Sequence, residues 1–474
     1  MEYVIKGYDS LALRYFEEIS AIPRVSYHEQ EIADYIEAFA KARGLASYRD
    51  AANNVLITKA GTKGRENEDV LMLQSHTDMV GEKSADSTCD LLRDPIRLVQ
   101  EGNILRADGT TLGADDGFGV ALMLAVLDAC EDHPPLECLF TATEETGLVG
   151  ASLFDYGRIR ARRMVNLDSA EETDIIIGCC GGHRNSLVLP VTAEPSDGEG
   201  IAISVSGLCG GHSGEDIHRG RANAIAILRR LIACVAASMP VRIAGIEGGS
   251  RENVIPREAS ALIAVEDVAG AMALLQEACE RERAACHCEE DAELCFVCAL
   301  APYTSLLPTE DSARVLSLLG VPHGVLTWRE EGRSAHLSRN LAKVTVNEGE
   351  VVVTLSTRCS ISETLHACDE ALAAFAKEQG ARLVPINTYC GWESDEHIDL
   401  VREWRDAYRS VTGEEMRVTV IHAGLECGVI CGSVPHMDAI AIGCNIYDLH
   451  SPDERMELDS FMRVEQTLLA FLAN

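Results

Sequence analysis

"LQSHTDMV", residues 73–80, closes an apolar run and sets a histidine and an aspartate one residue apart, where the chain is expected to leave a buried strand. A lone His76 at a strand end is ordinarily a capping imidazole, and a lone Asp78 ordinarily begins a turn. The pair gains another meaning only if further metal-type ligands stand at the ends of other strands, because a metal site is assembled in space from residues far apart in sequence.

Working outward, "NNVLITKAG", "EDVLMLQSH", "LECLFTATE" and "RRMVNLD" are short, apolar and β-rich, and "GFGVALMLAVLDAC" between the second and third has the length and composition of a buried helix. This alternation predicts an α/β sheet covered by helices on its faces. Upstream, "SLALRYFEEISAI" is helical by period, and "SYHEQEIADYIEAFAKARG" has Ser26 and Glu29 in capping-box spacing and ends on Gly44. "EMRVTVIHAG" and "MDAIAIG" predict further strands of the same type before a closing helix, "SFMRVEQTLLAFLAN".

Between these blocks the texture changes to longer alternating strands such as "GIAISVSGL", "ASALIAVEDV" and "KVTVNEGEVVVTLSTR", separated by the helices "RANAIAILRRLIACVAASM" and "AGAMALLQEACERERAAC". That order predicts helices on one face of an antiparallel sheet. The expected organisation is therefore a catalytic domain of residues 1–185 and 386–474 with an inserted α+β domain over 186–385, whose strand and helix pattern recurs as if in two related halves.

At 474 residues the chain is long enough for two cores, and 47% hydrophobic content is ordinary for a soluble protein. No stretch approaches a membrane span, and the first twenty residues lack the basic and apolar regions of a signal peptide, so a cytoplasmic location is expected. A formal net charge of -34 repels phosphate backbones and anionic lipid, which argues against nucleic-acid and membrane partners. The 18 cysteines, scattered through apolar segments, are expected to be reduced core thiols. "CHC" at 286–288 and "CFVC" at 295–298 match no standard zinc spacing, and "GCCGG" at 178–182 reads as a tight turn.

The strand ends can now be compared. Besides His76 and Asp78, "DGTTLGADDGFG" puts Asp115 and Asp116 in a Gly-rich turn before a helix. "LFTATEETG" places Glu144 and Glu145 after a strand, "MVNLDSAEE" places Asp168, and "IYDLHSPDER" adds His450. Taken singly these are an N-cap, a solvated turn, an Asx-turn and a surface imidazole. Taken together they form a carboxylate cluster that would repel itself without cations, and a mixture of imidazoles and carboxylates suits zinc, manganese or cobalt better than calcium. Neither a G-x-S-x-G nucleophile turn nor an H-E-x-x-H helix is present.

The segments "LQSHTDMVGEK", "DGTTLGADDGFG", "TATEETGLVGA", "NLDSAE", "GGHSGEDIHRGRANA", "HAGLECG" and "HSPDER" together resemble the M20 family of dinuclear metallopeptidases, in its aminoacyl-histidine dipeptidase branch, over nearly the whole chain. Departures are Ser75 where that branch often has Gly, Asp116 where Asn is common, and Cys444 in place of a Gly-Pro pair.

The resemblance implies a zinc-peptidase-like catalytic domain with a central mixed sheet, and a lid and dimerisation role for the insert, with a homodimer formed through it. It implies two divalent metal ions, zinc first and manganese or cobalt as alternatives. Asp115 would bridge them, with His76 and Asp168 completing one site and Glu145 and His450 the other. Asp78 would hydrogen-bond the His76 ring, and Glu144 would be the general base. His212 would supply an oxyanion donor from the insert, while Asn253, Arg358 and Gly424 would bind substrate. A cis peptide is implied between Asp115 and Asp116. The expected reaction is hydrolysis of small dipeptides, of the Xaa-His kind or more broadly; the alternatives are hydrolysis of N-acyl amino acids on the same metals, or a non-catalytic metal-binding homologue.

Overall fold

The protein is described by a computed structural model over residues 3–286, 288–329 and 335–474. It forms two compact units: unit 1 is Met1–Cys179, Gly391–Ile421 and Leu425–Asn474, and unit 2 is Cys180–Cys390 with His422–Gly424. Among the described residues, no helix is long and apolar enough to cross a membrane.

Unit 1 is built on an eight-stranded mixed sheet. Its strand order is Ala46–Arg49, Val55–Lys59, Leu136–Thr141, Leu71–His76, Arg163–Ser169, Asp438–Gly443, Asp174–Ile176 and Arg417–Thr419. The strands Leu136–Thr141, Leu71–His76, Arg163–Ser169 and Asp438–Gly443 run parallel to one another at the centre. They are buried on both faces, which is why they read as continuous apolar runs. Leu71, Leu73, Val165, Ile440 and Ile442 pack on one side into the larger core with Phe16, Phe118 and Phe461, whereas Met72, Met164, Ala439 and Ala441 enter a smaller core on the other. The helix Ala114–Ala129 is buried along most of its length. The consequence for function is geometric: the carboxyl ends of these parallel strands lie along one edge, where open α/β sheets carry their sites.

Unit 2 holds a nine-stranded antiparallel sheet in the order Cys295–Leu306, Glu194–Ser206, Ala259–Ala264, Arg242–Gly248, Ala335–Asn347, Glu350–Cys359, Gly181–Pro190, Arg382–Tyr389, with Gly324–Trp328 also paired to Ala335–Asn347. The helices Ala224–Ala236, Val268–Ala285, Thr309–Leu318 and Ser362–Glu378 contribute Leu228, Leu275, Val315 and Leu372 to a single core with Leu187, Ile203 and Val353 of the sheet. The recurrence seen in the pattern is a β-α-β-β-α-β unit used twice. One copy runs from Glu194 to Leu306; the other takes Gly181–Pro190 as its first strand, resumes at Thr309 and carries Gly324–Trp328 as an added strand before its second, Ala335–Asn347, so the first is nested inside the second. The copies meet through their second strands, at Gly248 opposite Val344.

Three local expectations change. "GCCGG" is not a turn: Gly178–Cys179 and Gly181–Pro190 are strands, the first paired with Trp392–Glu393. Ser26 and Glu29 do not form a capping box, since the helix Gln30–Ala42 has no side-chain cap. Ser26 Oγ instead donates to Asp78 at 2.8 Å, and Glu29 accepts from Thr143 Oγ1 at 2.7 Å, so both residues are drawn to the site loops. All 18 cysteines are free, but only six are buried. His287 of "CHC" lies outside the described residues; among those described, Cys286, Cys288, Cys295 and Cys298 join no group able to hold a metal.

Candidate metal centre and substrate-binding residues

The parallel strands of unit 1 deliver the predicted ligands to one place. His76 ends its strand, Asp168 lies near the end of the next, Glu144 and Glu145 follow Leu136–Thr141, and His450 follows Asp438–Gly443. Asp115 stands just inside the helix Ala114–Ala129. Gly113, at φ +69°, takes the cap position, so Asp115 is not an N-cap. The Asp115–Asp116 peptide is cis, as the resemblance implies. Thr143 and His450 both have positive φ, at 55° and 60°, a conformation non-glycine residues adopt mainly where surrounding structure enforces it.

His76, Asp115 and Asp168 form one group whose ligand atoms lie within 4.8 Å of one another, and Asp115, Glu145 and His450 form a second. Asp115 is common to both. His76 Nε2 lies 2.9 Å from Asp115 Oδ1 and 3.8 Å from Asp168 Oδ1, while His450 Nε2 lies 3.0 Å from both Asp115 Oδ2 and Glu145 Oε1. Ligand bonds of about 2.0–2.2 Å in a tetrahedron place ligand atoms roughly 3.3–3.6 Å apart, so the 2.9–3.0 Å imidazole–carboxylate contacts are hydrogen-bond distances that a small divalent cation would open by a few tenths of an ångström. Glu145 Oε1 is buried without a hydrogen bond despite the nearby imidazole, a cost that a cation removes.

The electrostatics point the same way. Burial, with repulsion from neighbouring carboxylates, pushes Glu144 and Asp168 well above the usual carboxylate range, and burial followed by the Asp115 charge raises Glu145. Burial also works against charge on Asp115, but hydrogen bonds from His450 and His76 hold it far below its ordinary value. Desolvation disfavours the charged His450 ring, yet Asp115 and Glu145 push it up to about 12. In the metal-free protein, then, protons on the imidazoles balance part of the negative charge, and a cation would displace them.

Asp78 is fully buried. Its backbone carbonyl lies 3.1 Å from His76 Nδ1, closer than its carboxylate at 3.5 Å, so the ring is oriented chiefly by the main chain. The carboxylate accepts from the amides of Glu144, at 2.9 Å, and Glu145, at 3.2 Å. It thereby fixes the two glutamates against the His76 strand. The sequence offered no sign of this second task.

The remaining predicted residues belong to unit 2. The glycines around His212 turn the chain, with φ +73° at Gly210 and +124° at Gly211. His212 bridges to Val254, and Ser213 N donates to Asn253 O at 2.8 Å, which places His212 and Asn253 side by side. A Cβ on Gly214 would lie 3.2 Å from His212 Cε1 and 3.4 Å from Arg358 Nε. Arg358 is not a surface ion pair: it is 3% exposed, donates from NH1 to Tyr389 Oη at 2.9 Å, and has a buried Nε without a partner. Gly424 packs on the same tyrosine, where a Cβ would come within 2.8 Å of the ring.

Sequence reasoning missed Glu426, Arg24 and Glu454, all fully buried. Glu426 accepts from Gln74 and Thr141 beneath the metal ligands, and burial raises it to about 7. Glu426 and Glu454 lie in quoted motifs, "HAGLECG" and "HSPDER", where their number of carboxyl contacts cannot be read; Arg24, in a loop with no carboxylate beside it, carried no signal.

Comparison with known proteins gives consistent results. The model of Peptidase family M20/M25/M40 matches residues 72–474. The cytosol non-specific dipeptidase of Escherichia coli (strain K12) is 35% identical over 454 residues, which cover 94% of this chain and 93% of that protein. The crystal structure of aminoacylhistidine dipeptidase from Vibrio alginolyticus superposes with a TM-score of 0.82 at 32% identity, covering 99% of this chain and 98% of that one. Human carnosine dipeptidase 1, at 13% identity and a TM-score of 0.53 with 98% and 96% coverage, shares the fold.

Proposed function

The chain belongs to peptidase family M20/M25/M40, and on that premise we propose that it is a two-metal dipeptidase of the cytoplasm, acting on Xaa-His and other dipeptides. The observation that carries this is the pair of ligand groups sharing Asp115, with the buried Glu144 carboxyl beside them. His76, Asp115 and Asp168 would hold one ion and Asp115, Glu145 and His450 the other, zinc being the best match to two imidazoles among carboxylates. When bound, the two cations supply Lewis acidity, which lowers the pKa of an attacking water and polarises the scissile carbonyl.

The chain's own residues do the rest. Glu144 takes a proton from the attacking water as its oxygen bonds to the carbonyl carbon, and passes it to the leaving amine as the C–N bond breaks. Asp78 keeps that carboxyl in place by binding the Glu144 amide. His212 is the donor to the developing oxyanion, and Arg358, with Asn253 and Gly424, takes the peptide's C-terminal carboxylate. The support for Arg358 is its buried, unpartnered Nε, which an anion would satisfy.

The test is a substrate panel on zinc-loaded protein: Xaa-His dipeptides, generic dipeptides, a tripeptide and an N-acyl amino acid. Dipeptides should be cleaved fastest, with all activity lost on chelation and restored by zinc. Full activity in exhaustively demetallated protein, or preference for the acylated amino acid, would overturn the proposal.

A further inference from the structure

The loop that presents Asp115 is gripped from two directions by groups that take no part in the reaction described above. On one side stands Glu454, 2% exposed. Its Oε2 accepts from the amides of Leu112 at 3.0 Å and Gly113 at 3.2 Å, and its Oε1 from those of Ala114 at 2.8 Å and Asp115 at 3.4 Å. Four consecutive amides thus converge on one carboxylate. On the other side Arg24, also 2% exposed, donates from NH2 to Gly113 O and from NH1 to the carbonyls of Thr77, at 3.1 Å, and Asp78, at 3.2 Å. Arg24 therefore ties the Asp115 loop to the strand end that carries His76. Space for it exists only because residues 113 and 117 are glycines, where a Cβ would lie 2.7 and 2.5 Å from Arg24 NH2.

We propose that Glu454 is a positioning residue of the metal centre: with His450 four residues before it, it holds Asp115 from two sides, His450 meeting the carboxylate of Asp115 and Glu454 its main chain. This rests on the two-metal function proposed above. The physical case is that a bridging ligand must offer both oxygens at fixed positions. Asp115 and Asp116 have non-helical backbone angles inside the first turn of their helix, so helical hydrogen bonding does not set that position. A carboxylate can satisfy four N–H groups, whereas an amide turns its own N–H groups against two of them. Partners behind the ligands typically alter metal affinity by roughly 10–100-fold.

The experiment is a zinc titration of metal-stripped, full-length Glu454→Gln against wild type, read by calorimetry or a competing chelator. We expect two zinc ions still to bind, with affinity for at least one weakened about 10–100-fold, and saturating zinc to restore wild-type kcat with an unchanged KM. Glu137→Gln is the control for a merely structural loss: Glu137 is buried and accepts the Arg160 and Ala161 amides elsewhere in unit 1, so its removal should lower stability without moving zinc affinity. If Glu454→Gln does not fold, Glu454→Asp keeps the charge and retracts the oxygens, and must likewise weaken zinc. Wild-type affinity in the folded variant, or activity that saturating zinc cannot restore, overturns the proposal. A wild-type protein that itself binds fewer than two zinc ions overturns the two-metal function as well, which distinguishes the two failures.

Discussion

The two units carry buried polar centres of opposite sign. In unit 1, Asp78, Asp115, Glu144, Glu145 and Asp168 crowd around two imidazoles, and burial makes their negative charge costly. In unit 2, Arg358 is buried with part of its guanidinium unpaired. Its neighbour His422 adds no charge, because burial, helped by the Arg358 cation, lowers its pKa to about 3, and its ring nitrogens face Cys180 Sγ at 3.0 Å and Ser338 Oγ at 2.7 Å. One centre asks for cations and the other for an anion. On the proposed function, metal ions would meet the first demand and the carboxylate end of a peptide the second.

The contrast is most easily broken at Arg358. Arg358→Met, which keeps the volume of the side chain, should cost about 2–5 kcal/mol in kcat/KM for a dipeptide with a free carboxylate. It should have little effect on the same dipeptide blocked as its C-terminal amide. Equal losses on both substrates would show that Arg358 does not read the carboxylate.

A smaller effect concerns His422 and stability. Its folded pKa lies below the unfolded value of about 6.5, so its contribution is complete above that pH and is lost as pH falls toward about 3. The slope from this group is at most about 1.4 kcal/mol per pH unit. Denaturant unfolding of metal-free protein across that window should show a shallower acid loss in His422→Gln than in wild type. An unchanged slope would mean that the ring is not kept neutral, and that Arg358 is not the sole source of positive charge in that part of unit 2.

The same contrast explains what could be read from sequence. Carboxylates and histidines at the ends of apolar strands are conspicuous because each is an unusual terminus for such a run, and five of them at one sheet edge have a joint electrostatic meaning. Arg24 and Arg358 have no such signature, since an arginine announces neither its burial nor the absence of a partner. Ser26 and Glu29 show the reverse case: their spacing satisfies a local rule, but Asp78 and Thr143 compete for the side chains and win. The parallel strands were legible from continuous apolar runs. The doubled β-α-β-β-α-β plan of unit 2 was visible only as a rhythm, because pairing order and nesting depend on contacts between strands far apart in sequence.

The proposed function requires the unit 1 cluster to hold two ions whose chemistry depends on Glu144 as the proton carrier. Its most direct test measures zinc stoichiometry and dipeptide turnover together in Glu144→Gln, with Asp115→Ala alongside. Glu144→Gln should keep both ions while kcat falls roughly 10²–10⁴-fold, and Asp115→Ala should lose metal and activity at once. Near-wild-type turnover in Glu144→Gln, or two tightly bound zinc ions in Asp115→Ala, would overturn the proposed function.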